Sequence, residues 1–367
     1  CVACHTSNNN VLFAGGNAIA SPIGEMFPPN ITPDKKNGIG NYSLDDFDRA
    51  VRFGIRQDGV TLYPAMPYPS YARMSDEDIT ALYAYFMNGV KPEAVANKEN
   101  TISWPLSIRW PVAIWRKVFA PEVKPFDAQK FSENLLARGA YIVEGPGHCG
   151  TCHTPRAATM QEKALDDSSA FFLAGGQIVD GWNALSLRNE PSGLQNWSQD
   201  EIIELLLTGR TAKAVIIGKP MHDVIVHSSS LWTDEDRNAV AAYLKSLPAE
   251  KAAVMPTQPV AADMRETNSE AAFLYRRGCS NCHGIEGQGK EHLFPALVGN
   301  NTVLAEDPTT IIRLTAHGYV VPPLNDGQMP MQMPGFAGTY SDKQIADVLT
   351  YVRQSWGNNA TVVTEKQ

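Results

Sequence analysis

The sequence predicts an all-α chain made of three tandem copies of one small helical unit, joined by irregular loops and linkers. Three observations carry this. The run Cys-x-x-Cys-His occurs at Cys1 to His5, Cys149 to His153 and Cys279 to His283, and it uses all six cysteines of the 367 residues. The same parts then follow each copy in the same order: a loop rich in Gly and Pro, a helix stopped near Gly, a loop containing Met, and a last helix. Each last helix has a hydroxyl start signal, at Ser75, Thr233 and Ser341, and the same later tyrosine, Tyr85, Tyr243 and Tyr351.

The repeated motif has one chemistry that explains its spacing. One helical turn lets two thiols reach the two vinyl groups of a single porphyrin and brings the adjacent imidazole under the iron, the arrangement of covalent haem c. A single copy is open to reading as a redox dithiol or half a zinc site. Three copies with no cysteine left over leave those readings little room. Chain length and the closeness of each pair disfavour a disulfide framework. Cys1, Cys4, Cys149, Cys152, Cys279 and Cys282 are therefore assigned to thioether bonds with three haems, and His5, His153 and His283 to proximal ligation.

The units divide the chain at 1–91, 127–248 and 269–358, with a connector at 92–126, a linker at 249–268 and a tail at 359–367. In the first, a helix over 43–53 stops at Gly54, and the last helix runs over 75–87. In the second, the pieces are 198–207 stopped at Gly209, then 233–247. In the third they are 308–316 stopped at Gly318, then 341–355. Ser75 with Asp78 and Thr233 with Asp236 are partial capping pairs, whereas Ser341 with Gln344 is a full capping box. The three tyrosines are expected in the core. Amphipathic segments at 134–143 and 270–277 precede the second and third motifs; nothing similar precedes Cys1, and a helix upstream of that cysteine is expected to belong to the first unit.

An electron-carrying haem iron takes a sixth ligand, commonly Met, which raises its potential. Met66 is bracketed by Pro64 and Pro67. Met221 holds the same place in the second unit, with His222 as a competitor. In the third, Met329, Met331 and Met333 compete, and Met333-Pro334 lies nearest the last helix as Met66-Pro67 does. His148 and His317 read as structural or near a propionate, and His227 and His292 as ordinary polar residues. The remaining methionines read as core or loop residues.

Composition sets limits. With 43% hydrophobic and 19% charged residues, the chain is an ordinary globular one. Its longest apolar runs, 202–207 and 215–217, fall far short of the roughly 20 residues needed to cross a bilayer. A net charge of -8 disfavours nucleic acid. Haem attachment to thiols occurs outside the bacterial cytoplasm, so export is expected. The connector holds Trp104, Trp110 and Trp115 among prolines. It reads either as an irregular strap pinned by buried indoles or as a docking surface for another subunit or the membrane interface. The Ala/Pro-rich segment 249–268 reads as an exposed spacer.

Stretches outside the haem motif carry a family resemblance: Ser21-Pro22-Ile23-Gly24, Asn30-Ile31-Thr32-Pro33-Asp34, Gly38-Ile39-Gly40-Asn41-Tyr42, Tyr63-Pro64-Ala65-Met66-Pro67-Tyr68-Pro69, Ser103-Trp104-Pro105-Leu106-Ser107, Gly145-Pro146-Gly147-His148-Cys149 and Ser355-Trp356-Gly357-Asn358-Asn359. Over almost its whole length the chain resembles the triheme cytochrome c subunit of membrane-bound bacterial dehydrogenases, those acting on alcohol, aldehyde, gluconate, sorbitol or fructose. The resemblance implies three tandem class I cytochrome c domains and His/Met ligation of all three irons, by His5 with Met66, His153 with Met221 and His283 with Met333. It also implies the periplasmic face of the cytoplasmic membrane, reached with a cleaved signal peptide, and delivery of electrons to ubiquinone. No nucleotide loop or poised nucleophile is present. Substrate oxidation is therefore expected in a large partner subunit holding flavin, pyrroloquinoline quinone or molybdenum, with a small subunit as a further partner. Competing readings are a catalytic cytochrome with one open haem, an independent soluble carrier, and a relay to another cytochrome or terminal oxidase.

Overall fold

The computed structural model describes residues 1–7, 11–21, 23–249, 269–324 and 331–367. Nearly all of the expected spacer, and Met329, lie outside the described residues. The chain forms two compact units, Cys1–Thr151 and Cys152–Gln367.

The first unit starts with the motif turn α1 (Val2–His5) and an antiparallel ribbon, β1 (Ile19–Ser21) on β2 (Gly24–Met26). Helix α2 (Leu44–Phe53) begins at a reciprocal cap: the Asp46 amide donates to the Ser43 hydroxyl, and the Asp46 carboxylate accepts from the Ser43 backbone. It ends at Gly54, whose φ of 65° is left-handed. A Cβ there would lie 2.6 Å from the Tyr68 ring, so both backbone and packing demand glycine. A short turn α3 (Tyr68–Tyr71) leads to α4 (Asp76–Ala84), capped by Ser75. Phe13, Ile39, Phe47, Val51, Met74, Ile79 and Phe86 make the core between these elements. Further on come α5 (Trp110–Phe119) and α6 (Asn134–Glu144). Helix α6 is tied to the start of α4, since the Ser75 amide donates to the Tyr141 hydroxyl at 3.1 Å and that hydroxyl donates to Asp78.

The second motif turn is α7 (Gly150–His153). In the second unit a ribbon of β3 (Gln177–Val179) and β4 (Trp182–Ala184) precedes α8 (Gln199–Thr208), α9 (Lys219–His227) and α10 (Asp234–Ser246). Then follow α11 (Glu270–Gly278), the third motif turn α12 (Ser280–His283), α13 (Asn301–Leu304) and α14 (Thr309–His317). The ribbon of β5 (Tyr319–Val320) and β6 (Gln332–Met333) and the helix α15 (Asp342–Gln354) complete it. Helices α11 and α15 pack through Tyr275 and Tyr351, joined by Trp356 just beyond α15, with ring centroids 4.9 to 5.6 Å apart. Residues 358–363 lie back along α15. The Val363 amide donates to the Thr350 hydroxyl at 2.9 Å, and Val363 is part of the core.

The fold is helix-rich, and several local expectations meet the structure directly. Ser75 and Thr233 each make a single cap bond, while Ser341 with Gln344 makes the full box. The all-α expectation needs one correction: three two-stranded ribbons are present among the described residues. They are the loops' way of pairing backbone groups that no helix satisfies. A second correction concerns Tyr85, which is 52% exposed while Phe86 is 2% exposed. Helix α4 gives way to a π-helical turn over Tyr85–Gly89, and the wider turn rotates the register so that the neighbouring ring enters the core. Tyr243 and Tyr351 are buried as expected.

A third correction falls on the connector. Its first part is docked: the Thr101 amide donates to Glu25 O at 3.0 Å, and Asn30 Nδ2 donates to Glu93 O at 2.8 Å. Its second part is the regular helix α5, with Pro111 in the first turn where its missing N–H costs nothing. Trp104 and Trp110 are exposed and pin nothing; Trp115 is half-buried, 5.6 Å from Phe119.

Candidate haem c centres

Each motif folds as one helical turn. His5 N donates to Cys1 O at 2.8 Å, and His283 N donates to Cys279 O at 3.0 Å, so sulfur, sulfur and imidazole share a single turn. None of the six cysteines is joined in a disulfide. In every motif the imidazole is held from the far side by a backbone carbonyl: Nδ1 of His5 meets Pro29 O at 2.7 Å, that of His153 meets Leu185 O at 2.6 Å, and that of His283 meets Pro295 O at 2.9 Å. A carbonyl only accepts, so Nδ1 carries the proton and the lone pair of a neutral ring sits on Nε2. Burial pulls the His5 pKa down to about 4 and lowers those of His153 and His283, keeping all three neutral at pH 7. A neutral imidazole with an oriented Nε2 is what an axial iron ligand requires.

The sulfurs fit as well. Burial, then the neighbouring Cys282, push the Cys279 thiol up to about 11, an environment that suits an uncharged sulfur such as a thioether. The residues present therefore fit haem c.

On the distal side, Met66 sits in a turn closed by its own backbone, with Met66 N donating to Tyr63 O at 3.2 Å, and packs on the core of the first unit. Met221 lies in the first turn of α9 rather than in a loop. Its competitor His222 is engaged elsewhere: Nε2 is 3.0 Å from Pro323 O, and Nδ1 is 3.5 Å from Asp223. With both nitrogens facing protein partners, His222 has none directed to a metal. Met333 lies in β6 opposite Tyr319, while Met331 O accepts from Val321 N at 2.8 Å. Period-two alternation puts Met331 and Met333 on the same face of the ribbon, so the backbone brings both to one side.

Three contributions escaped the sequence. Tyr71 lies edge-on to His148, with ring centroids 5.7 Å apart, and stands near Cys4, so within the first unit it links the first motif to the residue that precedes Cys149. The Gly218 amide, three residues before Met221, donates to the Tyr319 hydroxyl at 3.0 Å, and Tyr319 pairs with Met333. Trp182 completes that clasp, 5.0 Å from Tyr319 and under the Arg313 guanidinium at 4.4 Å. The segments bearing the second and third candidate methionines are thus bonded together. Finally, the buried Arg188, Arg237 and Arg353 clamp backbone carbonyls. Arg188 and Arg353 reach carbonyls distant in the chain, so nothing in their local sequence marks them, whereas Arg237 clamps the turn just before its own helix.

Residues 269–356, the segment from α11 to just beyond α15, match the family described as Cytochrome c. Along its length the chain is 49% identical to the cytochrome c subunit of a quinone alcohol dehydrogenase from Gluconacetobacter polyoxogenes, over 98% of this chain and 78% of that one. It is 46% identical to the gluconate 2-dehydrogenase cytochrome c subunit of Pantoea cypripedii, over 100% of this chain and 85% of the relative. This chain belongs to the dehydrogenase cytochrome c subunits. As a member of that family it is an electron-transfer protein bearing covalent haem c. A third such subunit, from the fructose dehydrogenase of Gluconobacter japonicus, is 38% identical over 99% of this chain and 78% of its own length.

Proposed function

We propose that this cytochrome c subunit carries three haems c in three tandem cytochrome c domains. It relays electrons from a periplasmic dehydrogenase subunit, oxidising an alcohol, aldehyde or sugar, to ubiquinone at the periplasmic face of the cytoplasmic membrane. The observation that carries the reading is the threefold motif turn in which a backbone carbonyl holds Nδ1 of His5, His153 and His283 and leaves Nε2 as the ligating atom. Cys1 and Cys4, Cys149 and Cys152, and Cys279 and Cys282 hold the three groups covalently. Met66, Met221 and Met333 are the distal ligands. When bound, haem c would supply a one-electron carrier, and a methionine thioether as its second protein ligand would set it at a higher potential than a second imidazole would.

The chain's own residues do the rest. The carbonyls of Pro29, Leu185 and Pro295 fix each ring's tautomer and direction, which sets ligand basicity. The bonded segments around Gly218 and Tyr319 hold the second and third sites in one arrangement, which favours transfer because tunnelling falls steeply with distance. The names of the relatives support a dehydrogenase partner, and that of the alcohol dehydrogenase supports quinone as the acceptor. The partner holds flavin, pyrroloquinoline quinone or molybdenum and is exported with this chain.

Haem counting and electron delivery test the proposal together. Pyridine haemochrome assay of the purified chain should give three haems, and replacing both cysteines of one motif by Ala should remove one. The complex with its dehydrogenase subunit should reduce a ubiquinone analogue, and the dehydrogenase subunit alone should not. Fewer than three haems, or full quinone reduction without this chain, overturns it.

A further inference from the structure

Helix α5 carries an apolar stripe that the first unit leaves uncovered. Trp110 is 66% exposed, Ile114 54% and Val118 64%, and their spacing of four residues puts them on one face. Trp104, 79% exposed, and the exposed Leu106 extend the stripe into the preceding turn. The opposite face is anchored. The Arg109 guanidinium lies 3.8 Å over the Tyr63 ring and donates to Thr61 O, and Arg116 Nη1 donates to Phe53 O at 3.5 Å. The helix is held firmly and presents its greasiest side outward, which is not how a surface helix of this kind rests in water.

The charge around the stripe says what covers it. Residues 100–121 contain no Asp or Glu and three cations, Arg109, Arg116 and Lys117, in a chain of net charge -8. Lys117 is exposed and lies beside the stripe, almost two turns on from Trp110. Arg109 and Arg116 are held on the opposite face, so Lys117 alone borders the stripe. An acid-free stretch with exposed Trp, Leu, Ile and Val beside this cation complements an anionic lipid surface: indoles sit at the headgroup level, aliphatic side chains reach below it, and the lysine meets phosphate. Helix α5, with 10 residues, is too short to cross a bilayer, so the contact it offers is an interfacial one.

We propose that the outer face of α5, with the turn before it, is a docking surface for an anionic phospholipid bilayer. The proposal gives a surface to the membrane location in the function proposed above and rests on that reading only for its setting. The stripe is on the unit that carries the first haem motif, so the bilayer contact lies in the same compact unit as the His5 and Met66 site.

Vesicle co-sedimentation of the haem-loaded chain tests it, with phosphatidylcholine vesicles prepared with and without phosphatidylglycerol. Binding should be stronger with phosphatidylglycerol and should weaken with added salt. Trp110→Ser with Ile114→Ser and Val118→Ser should bind at least about tenfold more weakly. Lys117→Glu should lose the preference for phosphatidylglycerol and keep the residual binding. All four positions are exposed, and unchanged haem content and visible spectrum certify folding. A wild-type chain that binds neither vesicle overturns the proposal, as does a triple variant that binds like wild type. A triple variant that keeps its vesicle binding but loses self-association or the dehydrogenase subunit assigns the face to a protein partner and also overturns it. The relay stands or falls separately: fewer than three haems with intact α5-dependent vesicle binding sinks the relay alone, and quinone reduction without vesicle binding sinks the docking surface alone.

Discussion

Arg353 offers the sharpest test of how the last domain is held. Its side chain is fully buried, and among the described residues no carboxylate lies at hydrogen-bonding distance. Its guanidinium instead donates to Thr361 O at 2.7 Å, Val303 O at 2.7 Å, Ala305 O at 2.9 Å and the Thr361 hydroxyl at 2.9 Å. It thereby joins α15 to the end of α13 and to the returning chain. Arg353→Met keeps length and burial but leaves three carbonyls without their donor. At about 2 kcal/mol for each orphaned buried acceptor the loss is about 6 kcal/mol. Against this, burial pulls the Arg353 pKa from 12.5 to about 10. That shift corresponds to a cost on the order of 3 kcal/mol for keeping the charge inside, which Met removes. The carbonyl term wins, and the net destabilisation is about 3 kcal/mol.

Because a chain of several domains does not unfold in one step, hydrogen exchange read peptide by peptide is the suitable assay. Amides in 301–305 and 350–363 should exchange roughly a hundredfold faster in the variant, with the first unit unchanged. Arg353→Lys should not rescue, since an ammonium cannot reproduce a planar fork of donors aimed at separate carbonyls. Exchange within about threefold of wild type would refute the reasoning, because it would mean that these carbonyls find other donors at little cost.

The remaining expectations concern ligands and acid. Met66→Ala, Met221→Ala and Met333→Ala should each let carbon monoxide bind one reduced haem and should lower that haem's potential, while His222→Ala should leave every iron closed. Carbon monoxide binding in the His222 variant, with none in the Met221 variant, would exchange the two assignments. The Asp46 carboxylate is held below its ordinary pKa of 3.8, first by hydrogen bonds from Ser43. A depressed carboxylate stabilises the fold above its unfolded value and loses that contribution as pH falls through the folded one. Helix α2 should therefore loosen below pH of about 4. Asp46→Asn should flatten that limb, seen as circular dichroism or exchange in 43–53; an unchanged acid limb would show that the cap does not set it.

What the sequence disclosed, and what it hid, follows the range of the forces involved. A helical turn that must offer two sulfurs and an imidazole to one porphyrin fixes its own spacing, so Cys1, Cys4 and His5 and their counterparts are readable without a fold. The cap signals at Ser75, Thr233 and Ser341 and the glycine stops at Gly54 and Gly209 are equally local. Tyr85 was misplaced because a π turn shifts the register by a residue, and a simple helical period carries no trace of that. The run of tryptophans and prolines hid a regular helix, since Pro111 falls where a helix tolerates it.

The distal ligand is the harder case. Loop lengths vary between the units, so spacing alone left Met221 and His222 side by side. What separates them is a carbonyl contributed by Pro323, in another repeat of the chain, which occupies the imidazole Nε2. The same distant segment supplies Tyr319, which receives the Gly218 amide just before Met221 and pairs with Met333. The imidazole that competes with the proposed ligand Met221 is thus engaged by a residue 101 positions later in the chain, through a contact that only the folded chain creates. A segment read in isolation proposes Met221 and His222 alike, and it is the carbonyl of the distant Pro323 that favours the methionine in the proposed ligation.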